Sequence, residues 1–169
     1  MTRHLHLVLL LALPLALGGC GLRPLYGGGA RSDVAMTLRS VNVAPIPGQA
    51  GWLVRNKLVD RLRTGGNEAP AYRLDVVLDD DLTAFGIRGD RAATRERRTL
   101  RARFQLISLN TGTVVLDATA GSDSGIDVVS SEYATVAAEQ TALEQLSDIL
   151  ADQIVARLGL FAARTAPRR

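Results

Sequence analysis

Beyond residue 20 the chain has no histidine and no cysteine: the two histidines stand at positions 4 and 6, and the single cysteine is Cys20. Without an imidazole or a free thiol, Ser-His-Asp and Cys-His catalysis and the usual zinc sites are excluded from everything that follows. Lysine is nearly absent as well, with Lys57 alone among the 20 basic residues. Carboxylates, hydroxyls and that one amine are what chemistry remains, so the body reads as a non-enzyme without cofactor or metal. The Asp79-Asp80-Asp81 run has the look of a calcium loop. The LTAFGIRG that follows, however, supplies none of the further oxygens such a loop needs at set spacing, and the run reads as a solvated strand end. No stretch reaches 18 uninterrupted apolar residues, so no helix spans a bilayer. No internal repeat is present.

What is there begins at the amino terminus. Arg3 is followed by an apolar run from Leu5 to Leu17, then Gly18 and Gly19, then Cys20. A basic start, a short apolar core and small residues at the cut describe a secretory signal. Leu17-Gly18-Gly19-Cys20 resembles the lipobox of bacterial lipoproteins, in which the cysteine thiol receives a diacylglycerol and the amine freed by cleavage is acylated too. On that reading residues 1–19 are cleaved and Cys20 is the lipidation site. Two or three acyl chains hold a protein essentially permanently, since each buried methylene contributes about 0.8 kcal/mol. Gly21, where a retained lipoprotein carries Asp, resembles an outer-membrane sorting signal. Loss of Arg3 with the signal takes the formal charge from +3 to +2, a mild imbalance that, in an exported protein, argues against a nucleic-acid partner.

Residues 20–35 contain several glycines and no period, and read as the lipidated cysteine and a flexible tether. Residues 38–44 (LRSVNVA) predict a first strand, stopped by Pro45, Pro47 and Gly48. Val54, Leu58 and Leu62, spaced by four, predict a helix over 49–63. Alternation then takes over: Tyr72, Leu74, Val76 and Leu78 share one face, Leu100, Ala102, Phe104 and Leu106 another such face, and Val114, Leu116 and Ala118 return after the Asn110-Thr111-Gly112 turn. Gly121 to Gly125 read as a loop. Leu143, Leu146, Leu150, Ile154 and Leu158 predict a long helix over about 132–158, with Gly159 at its C-terminal cap and residues 162–169 a frayed tail. The order β-α-β-β-β-α, with one apolar face per strand and one stripe per helix, defines an α+β two-layer sandwich over residues 36–161. Its two helices pack on one face of a four-stranded mixed sheet, and the other face is left polar.

Cys20-Gly21-Leu22-Arg23-Pro24-Leu25-Tyr26-Gly27, followed by this element order and by DQIVARLGLF at 152–161, resembles the lipopolysaccharide-assembly lipoprotein family LptE, especially its alphaproteobacterial branch. The resemblance implies an outer-membrane lipoprotein. It would insert into the lumen of the large LptD-type β-barrel, help that barrel assemble, and assist lipopolysaccharide passage to the outer leaflet. The barrel and lipopolysaccharide are the implied partners, and the membrane is reached through the lipid anchor. A plug must present polar surface, because barrel lumens are polar; the charged sheet face meets that demand. Two alternatives stay open: an auxiliary lipoprotein of an ABC-type lipid or solvent transport system, and a free-standing lipoprotein that binds an envelope ligand or peptidoglycan.

The candidate contact residues follow from charge. Arg88, Arg91, Arg95, Arg97, Arg98, Arg101 and Arg103 stand against only Asp90 and Glu96 within sixteen residues. Guanidinium groups match phosphate oxygens with a two-pronged donor fork, so the run is a candidate contact for lipopolysaccharide or for acidic lumen residues; the alternative is cross-strand pairing with Asp75, Asp79 and Asp117. Trp52 reads as docked against the sheet, or against a barrel wall. Pro24, Leu25 and Tyr26, apolar groups in a Gly-rich stretch, need burial and read as tether docking residues.

Overall fold

A computed structural model of the chain describes residues 32–62, 69–87 and 93–166. Cys20, Pro24, Leu25, Tyr26, Arg88 and Arg91 lie outside the described residues. The elements are α1 (Asp33–Arg39), β1 (Val41–Val43), α2 (Gly48–Leu62), β2 (Tyr72–Ile87), β3 (Ala93–Ser108), β4 (Val114–Asp127) and α3 (Glu132–Thr165). Three helices and a four-stranded mixed sheet in the order β1-β2-β3-β4 make the α+β sandwich expected.

Its beginning differs from expectation. Instead of tether through residue 35 and strand from Leu38, the chain forms α1. Ser32 caps this helix, its Oγ accepting from the Ala35 N–H at 3.2 Å, and Asp33 stands in its first turn, where the helix dipole favours an acid. Val34 and Leu38, four apart, are its buried residues. Val41 and Val43 then face inward and Asn42 outward. β1 pairs parallel with β2, Val41 opposite Tyr72 and Val43 opposite Leu74, and α2 is the crossover that a parallel pair requires.

β2, β3 and β4 form an antiparallel meander, longer than the alternation suggested. Asp79 to Asp81 lie inside β2, and Gly121 to Gly125 inside β4 rather than in a loop. Acidic residues and glycine have poor intrinsic strand preference, but that preference yields to cross-strand partners. Here Asp79 to Asp81 stand opposite Arg101, Leu100 and Thr99, and Gly121 stands opposite Arg101. Gly112, at φ +69°, closes the β3–β4 hairpin, its N–H donating to the Ser108 carbonyl at 2.8 Å.

Leu74, Leu100, Phe104 and Leu106 on the sheet meet Val54, Leu58 and Leu62 of α2, and Leu143, Leu146, Leu150, Ile154 and Leu158 of α3, in one buried cluster. Gly159 is buried within α3 rather than capping it; the helix continues to Thr165 and closes with the Ala166 N–H on the Ala162 carbonyl at 3.0 Å. Ion pairs between Lys57 and Asp148 (2.7 Å) and from Arg61 to Asp148 (3.0 Å) and Asp152 (2.6 Å) fasten α2 alongside α3. Trp52 is 63% exposed, so it does not dock on the sheet.

At the outer edge of β4, Gln153 of α3 takes the place of a neighbouring strand. The Gly121 N–H donates to Gln153 Oε1 at 3.1 Å, and Gln153 Nε2 donates to the Gly121 carbonyl at 3.3 Å. Capping the edge at this residue withholds that point of it from other chains.

Candidate functional site: the open sheet face

Side chains alternate along a strand, so helix-facing residues on β3 leave their neighbours on the other side. With Leu100, Ala102 and Phe104 buried beneath the helices, Arg95, Arg97, Arg101 and Arg103 stand on the open face. Arg98 belongs to the helix side.

The register sorts these arginines. Arg103 grips Asp117 of β4 with two hydrogen bonds, Nε at 3.1 Å and Nη2 at 2.8 Å, and Gln105 donates to the same carboxylate at 2.8 Å. These donors, Arg103 first, hold the Asp117 carboxyl at about 2, below the usual carboxylate range. Arg95 pairs with Asp127 at 3.1 Å, and Arg97 reaches Asp123 at 3.7 Å while its guanidinium lies 5.5 Å from the Phe85 ring centre. Arg98 forks onto Asp80 at 2.9 and 2.7 Å and donates to the Glu139 carbonyl of α3 at 3.2 Å, tying the far end of the sheet to the helix layer. Of the acids expected as partners, Asp117 serves and Asp75 does not, being held by Arg73. Asp79 has no ion pair among the described residues. Asp123 and Asp127 were not anticipated as partners, because Gly121 to Gly125 read as a loop and the strand was not carried beyond it.

Arg101 is different. It stands opposite Asp79 on one side and Gly121 on the other, and makes no hydrogen bond or ion pair among the described residues. It lines a shallow groove of about 770 Å³ together with Val77, Arg103, Thr119 and Asp123, closed at the β4 edge by Gln153 and Arg157. Arg157 is a second exposed arginine with no ion pair among the described residues. Two uncommitted guanidinium groups beside one groove can hold an anion with a geometry suited to phosphate. Among the described residues no group of histidine, cysteine or carboxylates could hold a metal ion.

On the helix side, Glu96 points toward Glu139, and its Oε2 is buried without a hydrogen-bond partner. Burial first, and the neighbouring Glu139 second, push its carboxyl above the usual range. The folded chain therefore binds this proton more tightly than the unfolded chain does. Its stabilising effect is present below the ordinary glutamate value and is lost as pH rises through the raised one. Glu96→Gln should accordingly raise the melting temperature at about pH 7 and leave it nearly unchanged near pH 3, where the unfolded glutamate is almost fully protonated. Thermal scans at the two pH values check this.

An α+β sandwich with an arginine-rich open sheet face is the class these features define. The family model for lipopolysaccharide assembly, LptE, matches residues 38–158, well over half of the chain, and the chain belongs to that family. It is accordingly a lipoprotein of the outer-membrane lipopolysaccharide-assembly apparatus. Among solved structures, a protein from Caulobacter crescentus described as a lipoprotein is 25% identical with a TM-score of 0.66, the match covering 81% of this chain and all of that one. The rare lipoprotein B of Shewanella oneidensis is 11% identical at a TM-score of 0.57, covering 73% of this chain and 95% of that one, and shows the same fold. A minor lipoprotein from Acinetobacter baumannii does so too, at 14% identity and a TM-score of 0.53, covering 72% and 92%. Curated sequences yield no match.

Proposed function

We propose that this chain, anchored through an acylated Cys20 in the periplasmic leaflet of the outer membrane, occupies the lumen of an LptD-type β-barrel and assists lipopolysaccharide passage without chemistry of its own. The observation that carries the reading is the open sheet face. It is a lattice of paired Arg and Asp, suited to a polar lumen, with Arg101 and Arg157 left uncommitted beside a groove. In this reading the two arginines hold the phosphates of lipid A. The paired Arg95, Arg97 and Arg103 shape the face and carry little of the contact, while Arg98 is held on the helix side. Among the described residues no helix is long and apolar enough to cross a membrane, which is compatible with attachment by acyl chains.

Two measurements test it. Mild solubilisation of the outer membrane followed by affinity capture of this protein should bring down an LptD-type barrel; a permease complex or the protein alone would reject the proposal. Arg101→Ala combined with Arg157→Ala should weaken lipopolysaccharide binding about tenfold or more, since a hydrogen bond to a charged group contributes roughly 1.5–3 kcal/mol. The loss should diminish in high salt. Unchanged affinity at low and high salt would remove these arginines from the site.

A further inference from the structure

Each edge of the sheet is covered over a short stretch only: Gln153 meets β4 at Gly121, and β1 covers the first residues of β2, from Tyr72 to Leu74. Peptide groups alternate sides along a strand, and the Leu74 carbonyl accepts from the Ala44 N–H at 3.0 Å on the β1 side. The register with β3 is unbroken from Tyr72 to Phe85. The N–H and C=O groups of Val76, Leu78, Asp80, Leu82 and Ala84 therefore point out of the same edge, and among the described residues no strand meets them.

A long free edge is a template for another strand, and proteins that do not use one commonly blunt it with charge, proline or a covering element. This edge has no proline, and its acids mark what can approach. Asp79 and Asp81 stand on the open face without an ion pair among the described residues, while Arg98 neutralises Asp80. Val77 (72% exposed), Leu82 and Phe85 supply apolar surface beside them. A second copy of this chain is disfavoured, because antiparallel pairing over the whole stretch 76–84 centres on Asp80 and sets Asp79 against Asp81; like charges directly opposite destabilise a pair. The geometry points to strand addition at the β2 edge by an extended segment of a partner protein that alternates basic and apolar side chains. Main-chain hydrogen bonds would supply the affinity and Asp79 and Asp81 the selectivity. This rests on the sheet's topology and charge, and does not depend on the lipopolysaccharide reading.

The probe is a short synthetic peptide of alternating Val and Arg, with a Val and Glu peptide as control, titrated against the full-length protein in detergent. The Val/Arg peptide should bind, slow amide exchange in the 76–84 segment, and leave the protein monomeric in sedimentation. Leu82→Pro or Ala84→Pro removes an outward donor while sparing the ladder to β3, and should weaken binding about tenfold with the circular dichroism spectrum retained. If those variants fold poorly, Asp79→Arg with Asp81→Arg serves instead, and should exchange preference to the Val/Glu peptide. No binding, equal binding of both peptides, binding indifferent to every variant, or dimerisation through this edge would each overturn the proposal.

Discussion

Phe104→Ala should destabilise the domain by about 3–5 kcal/mol, the usual range for truncating a fully buried aromatic side chain. Phe104 is completely buried on β3, with Val76 of β2 on one side and Ala118 of β4 on the other. It belongs to the cluster that also holds Leu58 of α2 and Leu146 and Leu150 of α3. Its ring is thus buried where the sheet packs on the helices, and truncation leaves a void there. Loss of this order is a large fraction of the stability of a typical domain. Denaturant titration reads the effect as a fall in midpoint with little change in slope. A cost near 1 kcal/mol would mean that the two layers are not packed as described.

Gly51→Ala should destabilise by about 1–3 kcal/mol, the range for overpacking a close contact, and the sign is the informative part. Alanine in place of glycine within a helix ordinarily gains about 0.5–1 kcal/mol. At Gly51 of α2, however, an added Cβ would lie 2.6 Å from the Ile46 carbonyl oxygen and 2.7 Å from its carbon. These are backbone atoms of the segment that leads from β1 into α2, and that segment cannot swing aside as a side chain could. Ile46 is itself buried, so relief would require α2 to withdraw from the core. Thermal unfolding of the two proteins decides it: a raised melting temperature for the alanine variant would contradict this close approach.

The parts of the fold written in the sequence are those where burial sets a clean period. The spacing of Val54, Leu58 and Leu62 gives α2 to within a residue of its observed ends, and Asn110-Thr111-Gly112 marks the β3–β4 hairpin because the left-handed position requires glycine. α1 was illegible because seven residues carry only two buried apolar positions and depend on the Ser32 cap and on packing against α3. Strand lengths were illegible for another reason: the middle of β2 is a run of three aspartates and the outer half of β4 is built of glycine, serine and aspartate, and both hold their conformation through partners from a different strand.

The candidate site divides in the same way. A basic run between residues 88 and 103 is visible in the chain, yet its division into committed and free arginines is a property of register. Arg95 and Arg97 find Asp127 and Asp123 on a strand that composition disguised as a loop, while Arg101 meets Gly121, which offers no side chain at all. Arg157 joins the groove from a helix more than fifty residues away, a proximity no local pattern announces.

In the proposed function the open sheet face lies against the inside of an outer-membrane barrel. Placing a photo-crosslinking amino acid at position 101, or at the exposed position 77 beside it, and irradiating intact cells tests this most directly. A covalent adduct between this protein and an LptD-type barrel is expected from both positions. Adducts to soluble periplasmic proteins alone, or irradiated protein that remains free while the barrel is present, would contradict it.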